Sequence, residues 1–165
     1  MINKINKLTK TEFIKVFGNI FENSIWITEK LYEEKPFNDY KDLSFKFLNI
    51  FESANKKKQI IVLNEHPDLA DKTKVGNLTS DSAEEQIGAG LDKCTVEEFN
   101  EFKNLNNEYK KKFSFPFIYA VKKKSKKVIL ENFRKRINNS LESEFDEAIK
   151  QVKEIAKLRL DQIKL

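Results

Sequence analysis

The chain holds one side chain whose ordinary pKa lets it give and take protons near neutral pH, His66, in the run Glu65-His66-Pro67-Asp68-Leu69-Ala70. It follows the apolar stretch Ile60-Ile61-Val62-Leu63, which a helix can carry. Pro67 disfavours helical geometry at the residue before it, so the helix is expected to stop there and to leave His66 at the mouth of a buried element. A lone histidine near a core is more often a packed residue than a catalyst. Its neighbours in space have to decide.

Arg159 is the second candidate. On a helical wheel it falls among Phe145, Ala148, Val152, Ile155 and Ile163, in the middle of an apolar face. A guanidinium aimed into a core is costly unless an anion meets it. Three readings stand: a buried ion pair with an internal carboxylate, a two-pronged grip on a substrate carboxylate, or a side chain that snorkels to the helix end. The third candidate is Ser82-Ala83-Glu84-Glu85-Gln86-Ile87-Gly88-Ala89-Gly90-Leu91, where Ser82 and Glu85 stand at capping-box spacing. Such a pair can merely start a helix. A helix N-terminus also offers amides and a positive dipole end to a polar ligand, and Gly88 and Gly90 would allow a close approach.

The elements that must position these residues read as helices almost throughout. Thr9 to Glu12 has a capping-box pattern ahead of Phe13, Val16 and Phe17. Asn23 or Ser24 can cap a helix with Trp26, Ile27, Leu31 and Tyr32, ending before Pro36. Leu43, Phe47, Leu48 and Phe51 stripe a third helix, and Ile60 to Leu63 lie on a fourth. Residues 66–81 read as an irregular connection. Thr95 to Glu98 is another capping box, followed by Phe99, Phe102, Leu105, Tyr109 and Phe113. Ser125 can cap a helix with Ile129, Leu130, Phe133 and Ile137, and a last helix runs on from Asn138-Asn139-Ser140. The run Phe115-Pro116-Phe117-Ile118-Tyr119-Ala120-Val121 breaks the period. Proline sits badly in a central strand, so a buried extended stretch or helix start lining a pocket is expected. The fold class that follows is all-α, a single domain over 1–165 with about seven to nine helices.

Composition narrows the chemistry. With one cysteine, Cys94, the chain has no disulfide framework, and one His plus one Cys is a poor ligand set for zinc, so no metal is expected. The net charge of +5 and the runs Lys56-Lys57-Lys58, Lys110-Lys111-Lys112 and Lys122-Lys123-Lys124 invite a nucleic-acid partner. Against it, 26 acidic residues are interspersed with 31 basic ones and Arg is rare beside Lys, which reads as a solvated surface. No signal-peptide core or membrane span is present, and the end Ile163-Lys164-Leu165 lacks the small first residue of a peroxisomal address, so a cytoplasmic protein is expected.

Taken together, His66-Pro67-Asp68-Leu69-Ala70, the Ser82 to Leu91 run, Asn107-Glu108-Tyr109 leading to Lys112-Phe113-Ser114-Phe115-Pro116-Phe117-Ile118, and Leu158-Arg159-Leu160 resemble one family in order and spacing. It is the 2-oxo-4-hydroxy-4-carboxy-5-ureidoimidazoline (OHCU) decarboxylase family, which completes the conversion of urate to (S)-allantoin. The likeness extends from Phe21-Glu22-Asn23-Ser24-Ile25-Trp26 through Arg134-Lys135-Arg136-Ile137-Asn138-Asn139 to the last helix. Two positions depart from it: the family usually has Pro where Ile25 stands and Gly where Ser114 stands.

The resemblance implies a cofactor-independent carboxy-lyase. His66 would be the acid–base group, Glu85 would hold hydroxyl or ureido donors and set the protonation of His66, and Arg159 would take an anionic or carbonyl oxygen. Substrate contacts would fall on Pro67, on Ser82, Ala83, Glu84, Glu85 and Gln86, and on backbone groups of Phe117, Ile118, Tyr119, Ala120 and Val121. A homodimer is also implied. Composition by itself leaves open a non-enzymatic basic helical module, and the residues leave open a related decarboxylase acting on another small ureide.

Overall fold

A computed structural model describes residues 1–71 and 78–163. Among these the chain is all-helical, with nine α-helices and one short 3₁₀ turn. In order they are α1 Ile2–Lys7, α2 Lys10–Phe17, α3 Ile25–Glu33, α4 Tyr40–Glu52, α5 Lys56–Asn64, α6 Ser80–Gly88, the 3₁₀ turn Leu91–Lys93, α7 Val96–Phe113, α8 Lys126–Arg136 and α9 Leu141–Leu160. The expected stripes and caps account for eight of the α-helices; α1 lacks a stripe and a side-chain cap and was not foreseen. Both capping boxes form, at Thr9 with Glu12 and at Thr95 with Glu98. Asn55 and Ser125 cap α5 and α8. Ser24 stands at the N-cap of α3 without a side-chain cap, and its hydroxyl donates to the Glu22 carbonyl at 2.9 Å.

The chain forms two compact units, residues 1–65 with 153–165, and residues 66–152. The first is built on α1 to α5 and the end of α9. Its core is largely phenylalanine: Phe13 and Phe17 lie 4.6 Å apart by ring centroid, and Phe21 touches Phe47 at 5.2 Å and Phe51 at 5.3 Å. Each such ring taken from water contributes about 1.5–3 kcal/mol. The run Ile60 to Leu63 is not wholly inside. Successive helical residues turn by about 100°, so Val62 and Leu63 are buried while Ile61 faces out. The inward place at the start of that helix is taken by Gln59, whose amide reaches the carbonyls of Phe51 and Glu52.

The second unit packs α6, α7, α8 and the first part of α9. Tyr109, at the middle of its core, has Phe113, Phe117 and Phe133 around its ring at 4.5–5.7 Å. The segment from Pro116 to Val121 is neither helix nor strand and runs without turn or bend, as expected for a buried extended stretch. The connection expected over 66–81 is irregular from His66 to Asp71 and ends earlier than foreseen, at Ser80; residues 72–77 lie outside the described residues.

Candidate active site

His66 is the second residue after α5 and is buried, with 8% of its surface exposed. The loop that carries it is held by three side chains of the same unit. Gln86 on α6 grips the backbone twice: its Nε2 donates to the Asp68 carbonyl at 3.2 Å and its Oε1 accepts from the Ala70 N–H at 3.0 Å. Asn106 on α7 donates to the Leu69 carbonyl at 2.9 Å. One turn on, Lys110 pairs with Asp68 at 2.5 Å. These contacts hold Ala70 in a left-handed conformation, φ 57°, which a non-glycine residue adopts only when its surroundings over-determine it. The histidine loop is therefore set by fixed amides. Beside it Asp68, Ala70, Phe99, Lys103, Asn106 and Lys110 help line a cleft of about 320 Å³.

The cap of α6 lies three residues before the expected one. Thr79 is its N-cap, with Oγ1 accepting from the Ser82 N–H at 3.4 Å, so Ser82 lies inside the first turn and its amide is already engaged. Thr79 and Ser82 are both capping types, and the earlier one adds Asp81 to the first turn, where a carboxylate suits the helix dipole. Along this helix Ser82 and Gln86 are buried, Ala83 and Glu85 half-buried, and Glu84 exposed. Gln86 thus acts on the histidine loop with its whole side-chain amide. Among the described residues no protein atom comes close to Gly88: a Cβ there would meet nothing within 4 Å. Gly90 has the backbone reason instead, at φ +75°.

The extended stretch forms a further part of the same unit. Phe117, Ile118, Ala120 and Val121 are buried and Tyr119 half-buried. Phe117 stacks on Phe133 at 3.8 Å with the rings 9° apart, and the Arg136 guanidinium carbon lies over the Phe117 ring, 4.5 Å from its centroid. Arg136 also donates from Nη1 to the Ile118 carbonyl at 2.7 Å. Glu144, fully buried, receives Arg136 Nε and Nη2, the Tyr109 hydroxyl and Asn139 Nδ2. Burial and that carboxylate push the Tyr109 phenol far up, so it stays a donor. The Tyr119 phenol is raised as well, mainly by burial. Helix α7 is common to these parts. Asn106 and Lys110 hold the histidine loop, and Tyr109, between them in sequence, packs on Phe117.

Arg159 belongs to the other unit. It is 4% exposed, so it does not snorkel, and its Nη1 donates to Glu22 Oε2 at 2.9 Å and to the Asn19 carbonyl at 3.1 Å. The buried ion pair among the three readings is present. Glu22 and Arg136 were visible in sequence only as parts of the family motifs and Gln86 only as a substrate contact; their roles as supports were missed, as were Asn106 and Glu144. Their signal was weak, because a polar residue on a helix announces no partner.

A loop histidine held by side-chain amides, with a helix and a buried extended stretch that share one central helix, makes up an all-helical protein with a cleft beside its histidine loop. The chain belongs to the OHCU decarboxylase family, whose model matches residues 6–161. It is 35% identical over 162 residues to the 2-oxo-4-hydroxy-4-carboxy-5-ureidoimidazoline decarboxylase of Halalkalicoccus jeotgali, covering 98% of this chain and 90% of that protein. It is 36% identical to the uric acid degradation bifunctional protein of Bacillus sp. (strain TB-90), covering 98% of this chain and 32% of that longer protein. Among solved structures, an (S)-allantoin synthase superposes with a TM-score of 0.77 at 25% identity, over 97% of this chain and 52% of that one. No described helix is long and apolar enough to cross a membrane.

Proposed function

We propose that the chain decarboxylates OHCU to (S)-allantoin and CO₂ with His66 as the acid–base group. The observation that carries this reading is that the family match spans residues 6–161 and includes a buried, braced loop bearing the chain's only histidine. The substrate carboxylate sits on the carbon next to a ring C=N bond. When the C–CO₂ bond breaks, its electron pair flows into that imine, so the substrate supplies its own electron sink and no cofactor or metal enters the reaction. The protein has to orient the ring, stabilise the developing charge and deliver a proton to one face of the resulting intermediate.

In this reading His66 delivers that proton, and Glu85 holds hydroxyl or ureido donors and biases the protonation of His66. Arg159 takes an anionic or carbonyl oxygen while paired with Glu22. Pro67, Ser82 to Gln86 and the backbone of Phe117 to Val121 surround the ring. The protein acts in the cytoplasm as a homodimer, each chain one catalytic domain over 1–165. Freshly generated OHCU tests the activity, with the handedness of the allantoin followed by circular dichroism. His66→Asn should remain folded and lose on the order of 10²-fold or more in stereoselective turnover, the usual scale of general acid–base catalysis. Near wild-type turnover by a folded His66→Asn protein removes His66 from the mechanism.

A further inference from the structure

We propose that Gln151 and Arg136 are positioning residues: they hold one edge of the Phe117–Val121 stretch so that its other edge faces the substrate. This rests on the activity proposed above. In an extended chain the N–H and C=O of one residue point to the same side, and those of the next residue to the opposite side. Ile118 and Ala120 therefore share an edge, on which side chains take both carbonyls and the Ala120 N–H, Lys124 Nζ donating to the Ala120 carbonyl. Arg136 Nη1 holds the Ile118 carbonyl at 2.7 Å, and Gln151 Oε1 accepts from the Ala120 N–H at 3.0 Å. The other edge belongs to Phe117, Tyr119 and Val121. Among the described residues no protein group takes the Tyr119 N–H, the Tyr119 carbonyl or the Val121 N–H. Tyr119 is half-buried between the buried Ala120 and Ile118, and backbone polar groups withdrawn from water are nearly always paired, so this edge is the one a ligand can take.

The two pins are themselves braced. Glu144 takes Arg136 through Nε and Nη2, and Glu147 Oε1 accepts from Gln151 Nε2 at 2.8 Å. Arg136 is entangled with the core, so its loss would mix folding with function. Gln151 is only half-buried and holds two contacts, one to Glu147 on its own helix and one to the Ala120 N–H. It is the cleaner probe.

The experiment compares wild type, Gln151→Leu and the double variant Gln151→Glu/Glu147→Gln on freshly generated OHCU, with melting temperature and amide exchange at Ala120 measured on each. Gln151→Leu should keep its melting temperature and expose the Ala120 amide to exchange. Its kcat should fall about tenfold with KM changed less than threefold, as expected for lost orientation. The double variant restores an acceptor for Ala120 and a donor beside it, and should recover kcat to within about threefold. Unchanged kcat in Gln151→Leu, a loss that follows the unfolded fraction, or a double variant that rescues nothing overturns the positioning role while wild-type turnover upholds the activity. Wild-type protein that leaves OHCU untouched overturns the activity and the positioning role with it.

Discussion

Each compact unit buries an arginine against a glutamate, and the two pairs are built differently. In residues 66–152, Arg136 and Glu144 are eight positions apart on consecutive helices, and Arg136 engages Nε, Nη1 and Nη2 on protein groups with Phe117 beneath it. In the other unit Arg159 meets Glu22 across 137 positions of chain. Desolvating an ion pair repays its cost only when geometry is good and the remaining donors and lone pairs are met. Glu144 satisfies that condition with tyrosine and asparagine donors besides the arginine. The first pair is thus a structural rivet; the second holds the arginine to which the proposed function gives a substrate oxygen.

The sharpest way to break this contrast is Arg136→Met. It leaves Glu144 buried without its cation, and removing one partner of such a pair costs about 3–5 kcal/mol. Chemical denaturation should show a loss of that size; an undisturbed midpoint would deny the rivet.

For the second pair the informative variant neutralises both partners. Arg159→Met with Glu22→Gln should leave the melting temperature near wild type, since neutral replacements for buried pairs are often tolerated. In the same protein kcat/KM should fall by about 2–4 kcal/mol, the range for a lost charge-assisted contact. Arg159→Lys should retain part of the activity, because an ammonium keeps the charge and loses the fork. A double variant that turns over normally reduces Arg159 to a second rivet.

Ser114 sharpens the view of the region around the extended stretch. It ends α7 in the left-handed conformation, φ 64° and ψ 19°, at a position where the resembling family usually has glycine. A Cβ there costs roughly 1–2 kcal/mol, and glycine returns part of that gain as chain entropy. Ser114→Gly should therefore stabilise the protein by about 0.5–1 kcal/mol, seen as a melting temperature higher by about 2 °C. Ile25, the other departure, is exposed at the first position of α3, where proline's missing N–H costs nothing.

The smallest effect is electrostatic and lies on the surface. Lys126 and the Thr95 N–H hold the Glu98 carboxyl below its ordinary range. A carboxyl whose pKa is lower folded than unfolded adds stability above its unfolded pKa, and that contribution fades as pH falls to the folded value. Glu98→Gln should lower stability slightly above the carboxylate range and leave it unchanged at pH below the folded value, so the acid limb of the stability profile flattens; a limb as steep as that of wild type in denaturation across pH denies the contribution.

Sequence by itself settled what depends on neighbours along the chain. Thr9, Thr95 and Ser125 cap helices because a hydroxyl reaches amides two or three residues on, and the phenylalanine stripes face inward because helical spacing puts them on one side. The extended stretch was legible from Pro116, and the family from the order of its motifs. Local rules were weakest where two answers were equally local: Thr79 displaced Ser82 as the cap of α6, and the Ile60 to Leu63 run could not show which residues turn inward. Tertiary structure alone decided the long-range partners. Gln86 holds the histidine loop 16 and 18 residues back, Asn106 reaches it over 37, and Glu22 receives Arg159 over 137. A buried amide or guanidinium must find a partner, but its own sequence neighbourhood does not say which; packing brings that partner within 3 Å or so and fixes the choice.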